Sequence, residues 1–307
     1  MKQTTSCVPV TSPLSPLCCL LFLAYVASSA HADWQDQFLT EYAGASEKLE
    51  NAYSRSKAAG TLARTDSKGK FLWKKSYELD RRDPAVCGLY TTISSDNSRS
   101  PVGSINAIGG TREKYFNIFR AEGERGYFVQ WFGPRKDFDL DVRPNFAPLF
   151  AAYCVEDWRI PDLINDKKWI LRHVQEDHLD DKDVVRVDLT TEDKSIVTWG
   201  GSVNMSIYFY LPTWTVAGWR SDSKPRAAGP PQGANFEVKL EGRVEYDKTT
   251  PIPKISVVDR WRVTPGGRVD DIRYEVTSLE FVDIAEEQFQ LRRFGVEEPS
   301  KQITPGQ

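Results

Sequence analysis

Phe236-Glu-Val-Lys-Leu-Glu-Gly-Arg-Val-Glu-Tyr-Asp247 sets Phe236, Val238, Leu240, Val244 and Tyr246 against Glu237, Lys239, Glu241, Arg243, Glu245 and Asp247. A period of two with one apolar side describes an antiparallel strand with one face in a core and the other in water. Ile255, Val257, Trp261 and Val263 repeat the pattern, Pro265-Gly-Gly-Arg268 turns the chain, and Ile272, Tyr274 and Val276 continue it. After Ser278 the phase slips by one, to Leu279 and Phe281, which predicts a β-bulge or bend. The quarter from Ala234 to Pro299 therefore reads as four short strands ending in the tail Phe289-Gln-Leu-Arg-Arg-Phe-Gly-Val-Glu-Glu-Pro299.

Working outward from this sheet, Val203, Met205, Ile207, Phe209 and Leu211 alternate in the same way, with Trp214 and Trp219 close behind. Ser221–Gly233 reads as a surface loop between strands. Ile170–Gln175 and Val184–Leu189 are expected to pair as a hairpin across the charged loop Asp177–Asp183. Phe71, Trp73, Tyr77 and Leu79 share one face of a further strand, and Leu89–Ile93 and Ser104–Ile108 are shorter ones. Tyr115–Phe119 and Tyr127–Phe132 are apolar on both faces, so each is either covered on both sides or lines a cavity. Two segments carry helical spacing. Trp34, Phe38, Tyr42, Ala45, Leu49 and Ala52 form an apolar stripe with Asp33 as its N-cap. Phe146, Leu149, Phe150, Tyr153 and Cys154, followed by Pro161–Asn165, predict a helical insertion.

The first 32 residues have the form of a secretory leader. Lys2 precedes the apolar run Leu17–Val26, which is too short to span a bilayer as a helix. Ala30-His-Ala32 places cleavage between Ala32 and Asp33, leaving a soluble chain in the periplasm or outside the cell. No later apolar run approaches transmembrane length. Lys and Arg number 40 against 43 Asp and Glu. This near-balance gives no basic surface for nucleic acid and no attraction to anionic lipid. Cleavage leaves two cysteines, Cys87 and Cys154. In an oxidising compartment they either form one disulfide, worth roughly 4 kcal/mol in the chain-entropy model, or stay as buried thiols.

Catalytic motifs are not found. Gly200-Gly-Ser-Val-Asn204 does not match a nucleophile elbow, and Ile108-Gly-Gly-Thr111 lacks the sequel of a phosphate loop. His173 and His178 are five apart, which does not suit a helical zinc pair. Glu176–Asp183 lacks the glycine and alternation of a calcium loop. No metal, cofactor or enzymatic activity is expected. Aromatic residues make up 12% of the chain. Strands favour them for packing, but Phe128, Trp131, Phe132, Phe150, Phe209 and Trp214 together are the candidate lining of an apolar cavity.

A leader, an amphipathic helix, a run of antiparallel strands, a helical insertion near Phe146–Asn165 and further strands follow one another in this chain. That order resembles the LolA/LolB lipoprotein-carrier superfamily, with its mycobacterial-type lipid carriers and the N-terminal domain of the sigma-E regulator. The tail Phe289-x-Leu291-x-x-Phe294-Gly295-x-x-Glu298-Pro299 looks like the closing segment of exported bacterial proteins of this layout. The resemblance implies an α+β fold over residues 33–299: a single curved, unclosed antiparallel sheet, or half-barrel, of roughly ten strands. Its helices lie on the concave face, and 300–307 form a tail. It implies a non-enzymatic envelope protein whose concave face takes an acyl chain, a lipid or a lipoprotein. Two alternatives stand beside it: an envelope sensor or scaffold with a filled core that binds a protein partner, and a carbohydrate-binding β-sandwich using exposed Trp214 and Trp219.

Overall fold

The computed structural model describes residues 16–96, 101–111, 113–134, 145–156, 158–196, 201–225, 238–247, 249–264 and 266–304, with 16–33 as backbone only. The expected strand start at Phe236 and most of the loop Ser221–Gly233 lie outside them. The chain begins with helix α1 (Pro16–Tyr53) and continues through β1 (Arg55–Thr65), β2 (Phe71–Arg82), β3 (Ala85–Ser95), β4 (Ile105–Gly110), β5 (Lys114–Arg120) and β6 (Phe128–Pro134). The hairpin β7 (Cys154–Val155) and β8 (Trp158–Arg159) follows. Then come β9 (Ile170–Leu179), β10 (Lys182–Thr191), β11 (Gly201–Tyr210), β12 (Thr215–Pro225), β13 (Val238–Asp247), β14 (Lys254–Thr264) and β15 (Gly267–Phe281).

Thirteen strands form one antiparallel sheet in the order β6-β5-β4-β3-β2-β1-β15-β14-β13-β12-β11-β10-β9. It is curved and does not close, with β6 and β9 at its edges, which is the expected half-barrel with more strands than the ten anticipated. The expected phase slip near Ser278 is a bulge. Ala59 pairs with Ser278 and Gly60 with Val276, leaving Thr277 as the extra residue. The bulge keeps β15 one continuous strand, so the segment expected as four strands is three. A second bulge was not foreseen. Glu245 pairs with Val257 but Tyr246 with Ile255, so Ser256 is extra. It turns Ile255, Val258 and Arg260 to one face and Val257 and Trp261 to the other.

The β9–β10 hairpin forms as expected, with Val187 opposite Val174. Its strands run further than expected, through the charged segment, and the turn is only Asp180-Asp181 at φ 51° and 62°. Positive φ at both central residues matches the twist of the flanking strands. α1 buries Phe38, Tyr42, Leu49 and Tyr53 against the inner face. The helix is continuous from Pro16, so Asp33 lies inside it rather than capping it. The Tyr53 hydroxyl fixes the end of the helix to the sheet, donating to Pro253 O (2.9 Å) and accepting from Ile255 N–H (3.1 Å).

The expected helical insertion is broken into one turn at Ala147–Phe150, the β7–β8 hairpin and a short helix at Ile160–Asn165. Backbone groups that a helix would use internally are spent elsewhere. Ala152 O accepts from Val216 N–H of β12 (3.2 Å), and Ile160 N–H bonds Tyr153 O (3.2 Å). This segment, 145–169, plugs the inner face beside α1.

The outer face of β3–β6 has its own core. Cys87, Ala107, Phe116, Ile118 and Phe132 pack there beneath Ile284, Phe289 and Leu291. The covering strap winds through two 3-10 turns, Glu286–Phe289 and Leu291–Phe294, and Gly295 ends the second at φ 69°. The strap then reaches edge strand β6, where Phe132 and Ile303 exchange backbone hydrogen bonds of 3.0 and 2.8 Å. Tyr115 and Trp131 belong to the inner core and Phe116, Ile118 and Phe132 to the core beneath the strap, which is why these strands carry apolar residues on both faces. Part of the expected tail 300–307 thus belongs to the fold.

Candidate functional site

Between plug and sheet lies a crevice of ≈ 40 Å³. Ala147, Phe150, Ala151 and Cys154 form its plug side, and Trp219, Val258, Ile272 and Tyr274 its sheet side. Adjacent strands supply the sheet wall: Val258 pairs with Tyr274 and Arg260 with Ile272 across β14 and β15. At the polar end, Arg260 Nε lies 3.0 Å from Glu156 Oε2, and Trp219 Nε1–H donates to Glu156 Oε1 at 3.1 Å. Burial raises the Glu156 carboxyl above the usual range, against the pull of Arg260 and Trp219. The Arg260 side chain is 31% exposed, so this end of the crevice reaches solvent.

Trp219 owes its place to Gly242. A Cβ there would sit 2.1 Å from the indole, so the ring lies directly over the β13 backbone. Further charges hold the plug. Arg81 of β2 donates to Leu149 O (2.9 Å) and to the Tyr153 hydroxyl, pairs with Asp83 (2.7 Å), and lies 4.1 Å from the Phe150 ring centroid. Arg159 makes a two-point contact with Glu50 of α1, at 2.6 and 2.7 Å. The site is therefore an apolar slot with a fixed carboxylate–guanidinium pair at its mouth, closed by a segment attached through that pair, the Arg159–Glu50 pair and the hydrogen bonds of Arg81.

Of the six lining candidates, Phe150 lines the crevice. Phe209 and Trp214 stack with Phe38 and Tyr42 in an aromatic cluster beneath α1, with ring centroids 5.1–6.1 Å apart. Trp131 is buried on the inner face, Phe132 faces the strap, and Phe128 is 69% exposed at the end of edge strand β6. These six are not brought together. Sequence reasoning missed Glu156 and Arg260. The signal for Arg260 was a charge in the buried phase of β14, hidden by the Ser256 bulge.

Trp214 and Trp219 are both buried, with their N–H groups taken by Glu41 (3.0 Å) and Glu156, which removes the exposed tryptophans of a sugar-binding surface. Cys87 and Cys154 are buried thiols on opposite faces of the sheet, so no disulfide joins them. His178 pairs with Asp183 (2.9 Å) at the exposed hairpin tip. Among the described residues no cluster of His, Cys, Asp and Glu is placed to hold a metal ion, and no helix is long and apolar enough to cross a membrane.

No family model matches this chain, and no curated protein does. Among solved structures, it is similar to a protein domain from Vibrio parahaemolyticus assigned to outer membrane lipoprotein sorting. That match has 8% identity and a TM-score of 0.46, over 82% of this chain and 96% of the other. A DUF1329 family protein from Desulfovibrio piger matches at 11% identity and TM-score 0.46, with 82% and 96% covered. LprF from Mycobacterium bovis matches at 10% identity and TM-score 0.29, with 79% and 95% covered.

Proposed function

We propose that the protein is a non-enzymatic carrier of the bacterial cell envelope, exported by its leader and cleaved before Asp33. It takes an acyl chain, a lipid or a lipid-modified protein onto the inner face of the half-barrel. The observation that carries this reading is the crevice, an apolar slot with few polar groups whose walls are divided between sheet and plug. Ligand pockets usually hold about 300–1,000 Å³, so at ≈ 40 Å³ this crevice itself has no room for a chain. Binding requires the plug to withdraw, and the ligand shifts the protein toward that open state. Apolar burial at about 25 cal/mol per Å² supplies the affinity.

The test is to purify the protein, exported from a bacterial host, without detergent. Native and denaturing mass spectra are compared, the organic extract is analysed for lipid, and melting is followed with added fatty acids and phospholipids. Stoichiometric lipid, or saturable stabilisation of about 2.7 kcal/mol at a hundredfold excess over Kd, supports the reading. An empty protein that gains nothing from any of these lipids overturns it. The small crevice volume favours one other reading, a filled-core sensor or scaffold that binds an envelope protein. Its contact would be the edge strand β9, beyond which no further strand lies among the described residues. Stability indifferent to lipid, with capture of a single envelope protein lost on substituting β9, is its expected signature.

A further inference from the structure

Two of the three groups at the mouth of the crevice belong to the sheet and one to the plug. Arg260 on β14 and Trp219 on β12 are donors, fixed by strand pairing and by the bare backbone at Gly242. Each of them takes one oxygen of the Glu156 carboxylate, at 3.0 and 3.1 Å. Glu156 follows β7 in the plug and sits at φ 51°, a conformation sparsely populated by residues with a side chain. The plug thus delivers a carboxylate into the sheet's donors from the turn of its hairpin. Beyond that carboxylate the slot is apolar on both walls. An anionic head next to an apolar channel is the chemistry of a carboxylate-terminated chain.

We infer that Arg260 and Trp219 form the head-group subsite for a long-chain fatty acid, and that Glu156 is an internal stand-in for its carboxylate that closes the empty protein. This rests on the apolar-ligand reading above and names the ligand class of the same site. The exchange is conservative. When the plug withdraws, Glu156 returns to water and the ligand's carboxylate takes both donors, so Arg260 is never left without a counter-charge. Release of the buried Glu156 carboxylate recovers its hydration, which favours the opening step. The chain occupies the space of Phe150 and Ala151. A fatty alcohol or methyl ester fills the same space but leaves the guanidinium unpaired, which is how the site tells the acid from its neutral analogues.

The test compares palmitic acid, hexadecanol and a dipalmitoyl phospholipid by displacement of a fluorescent acyl probe from the exported protein. The unmodified protein is expected to bind the acid at least tenfold more tightly than the alcohol, so the first readout needs no variant. Arg260→Gln is expected to lose that preference, the acid losing its partner while the alcohol gains from the loosened plug. Glu156→Gln, which weakens the competing internal contact, is expected to bind the acid several-fold more tightly. If Arg260→Gln does not fold, Trp219→Phe removes the second donor and is expected to narrow the preference. Equal binding of acid and alcohol, or a stronger preference for the phospholipid, overturns the fatty-acid assignment and leaves the carrier reading standing. Failure of all three ligands overturns the carrier reading, and this one with it.

Discussion

Irregular chain covers both faces of this sheet, and the two covers are built differently. The strap on the outer face is packed through apolar contact: Phe289, Leu291 and Ile284 are buried against Cys87, Phe116 and Ile118. Its half-buried Arg293 meets Asp80 at 2.7 Å, Glu298 pairs with Lys114 (2.7 Å) and Asp283 with Arg82 (3.7 Å) at the surface, and its end is paired to the backbone of β6. The plug on the inner face also buries Phe146, Leu149 and Ile160, but it carries a buried carboxylate, Glu156, into its contact with Arg260, is tied to α1 through Arg159 and Glu50, and leaves a void. A buried carboxylate recovers its hydration when the segment carrying it withdraws, whereas uncovering a dry apolar contact only loses burial. The contrast points to a permanent outer cover and an inner one that opens below the global unfolding free energy.

The largest effect is expected on the strap. Phe289→Ala should destabilise the protein by about 3–5 kcal/mol, because a buried ring is lost from a cluster with little freedom to collapse. Phe150→Ala, half-buried at the edge of an existing void, should cost well under half as much. Urea melts of both variants give the comparison directly. Equal costs would mean that the two covers are alike in strength, and the case for a weaker inner one would fail.

A smaller loss is expected at the crevice floor. Gly242→Ala places a methyl group within the indole of Trp219, which must move or push β13 away. Overpacking of this kind costs about 1–3 kcal/mol. Because Trp219 also holds Glu156, the substitution should loosen the plug and leave the strap untouched. Hydrogen exchange should then rise in 145–169 but not in 284–303. Uniform acceleration in both would show that the plug does not open as a separate unit.

The sequence made much of this fold legible, for a definite reason. Alternation places β11, β13 and the β9–β10 hairpin, and the slip after Ser278 locates the bulge at Thr277, because the side-chain period of a strand is fixed by its geometry. The two covers were not legible, because irregular chain has no period. Phe289, Leu291 and Phe294 stood out as a tail, but only the double-sided apolar pattern of Tyr115–Phe119 hinted that something lies across the outer face. The crevice was hidden twice over. Glu156 and Arg260 meet only through the folded sheet, and the Ser256 bulge conceals that Arg260 shares the phase of Val258. Aromatic content pointed instead to Phe209 and Trp214, which turned out to pack against Phe38 and Tyr42 under α1.

The plug's charge also gives it a pH dependence. Burial raises the Glu156 carboxyl above its ordinary value. A carboxyl raised on folding binds its proton more tightly in the native state. Its contribution is therefore fully present below the unfolded pKa and is lost as pH rises through the folded one. Melting of the unmodified protein and of Glu156→Gln should draw apart as pH falls from 7 toward 4, with the unmodified protein gaining. Parallel curves would mean that the carboxylate is solvated, so that the plug is already open at that end.

The mildest probe leaves stability untouched and asks which cover moves. Cys87 lies beneath the strap near Arg293, and burial pushes its thiol up to about 12, so almost no thiolate is present at pH 8. Cys154 lies on the plug wall of the crevice. With a small thiol reagent in native buffer, Cys154 should label first, at a rate that responds weakly to urea because little surface is exposed when the plug alone opens. Cys87 should label only as fast as the whole protein unfolds, with the full urea dependence. The reverse order would make the strap the moving part. The search for a ligand would then belong on the outer face, where Phe116, Ile118 and Phe132 would be uncovered.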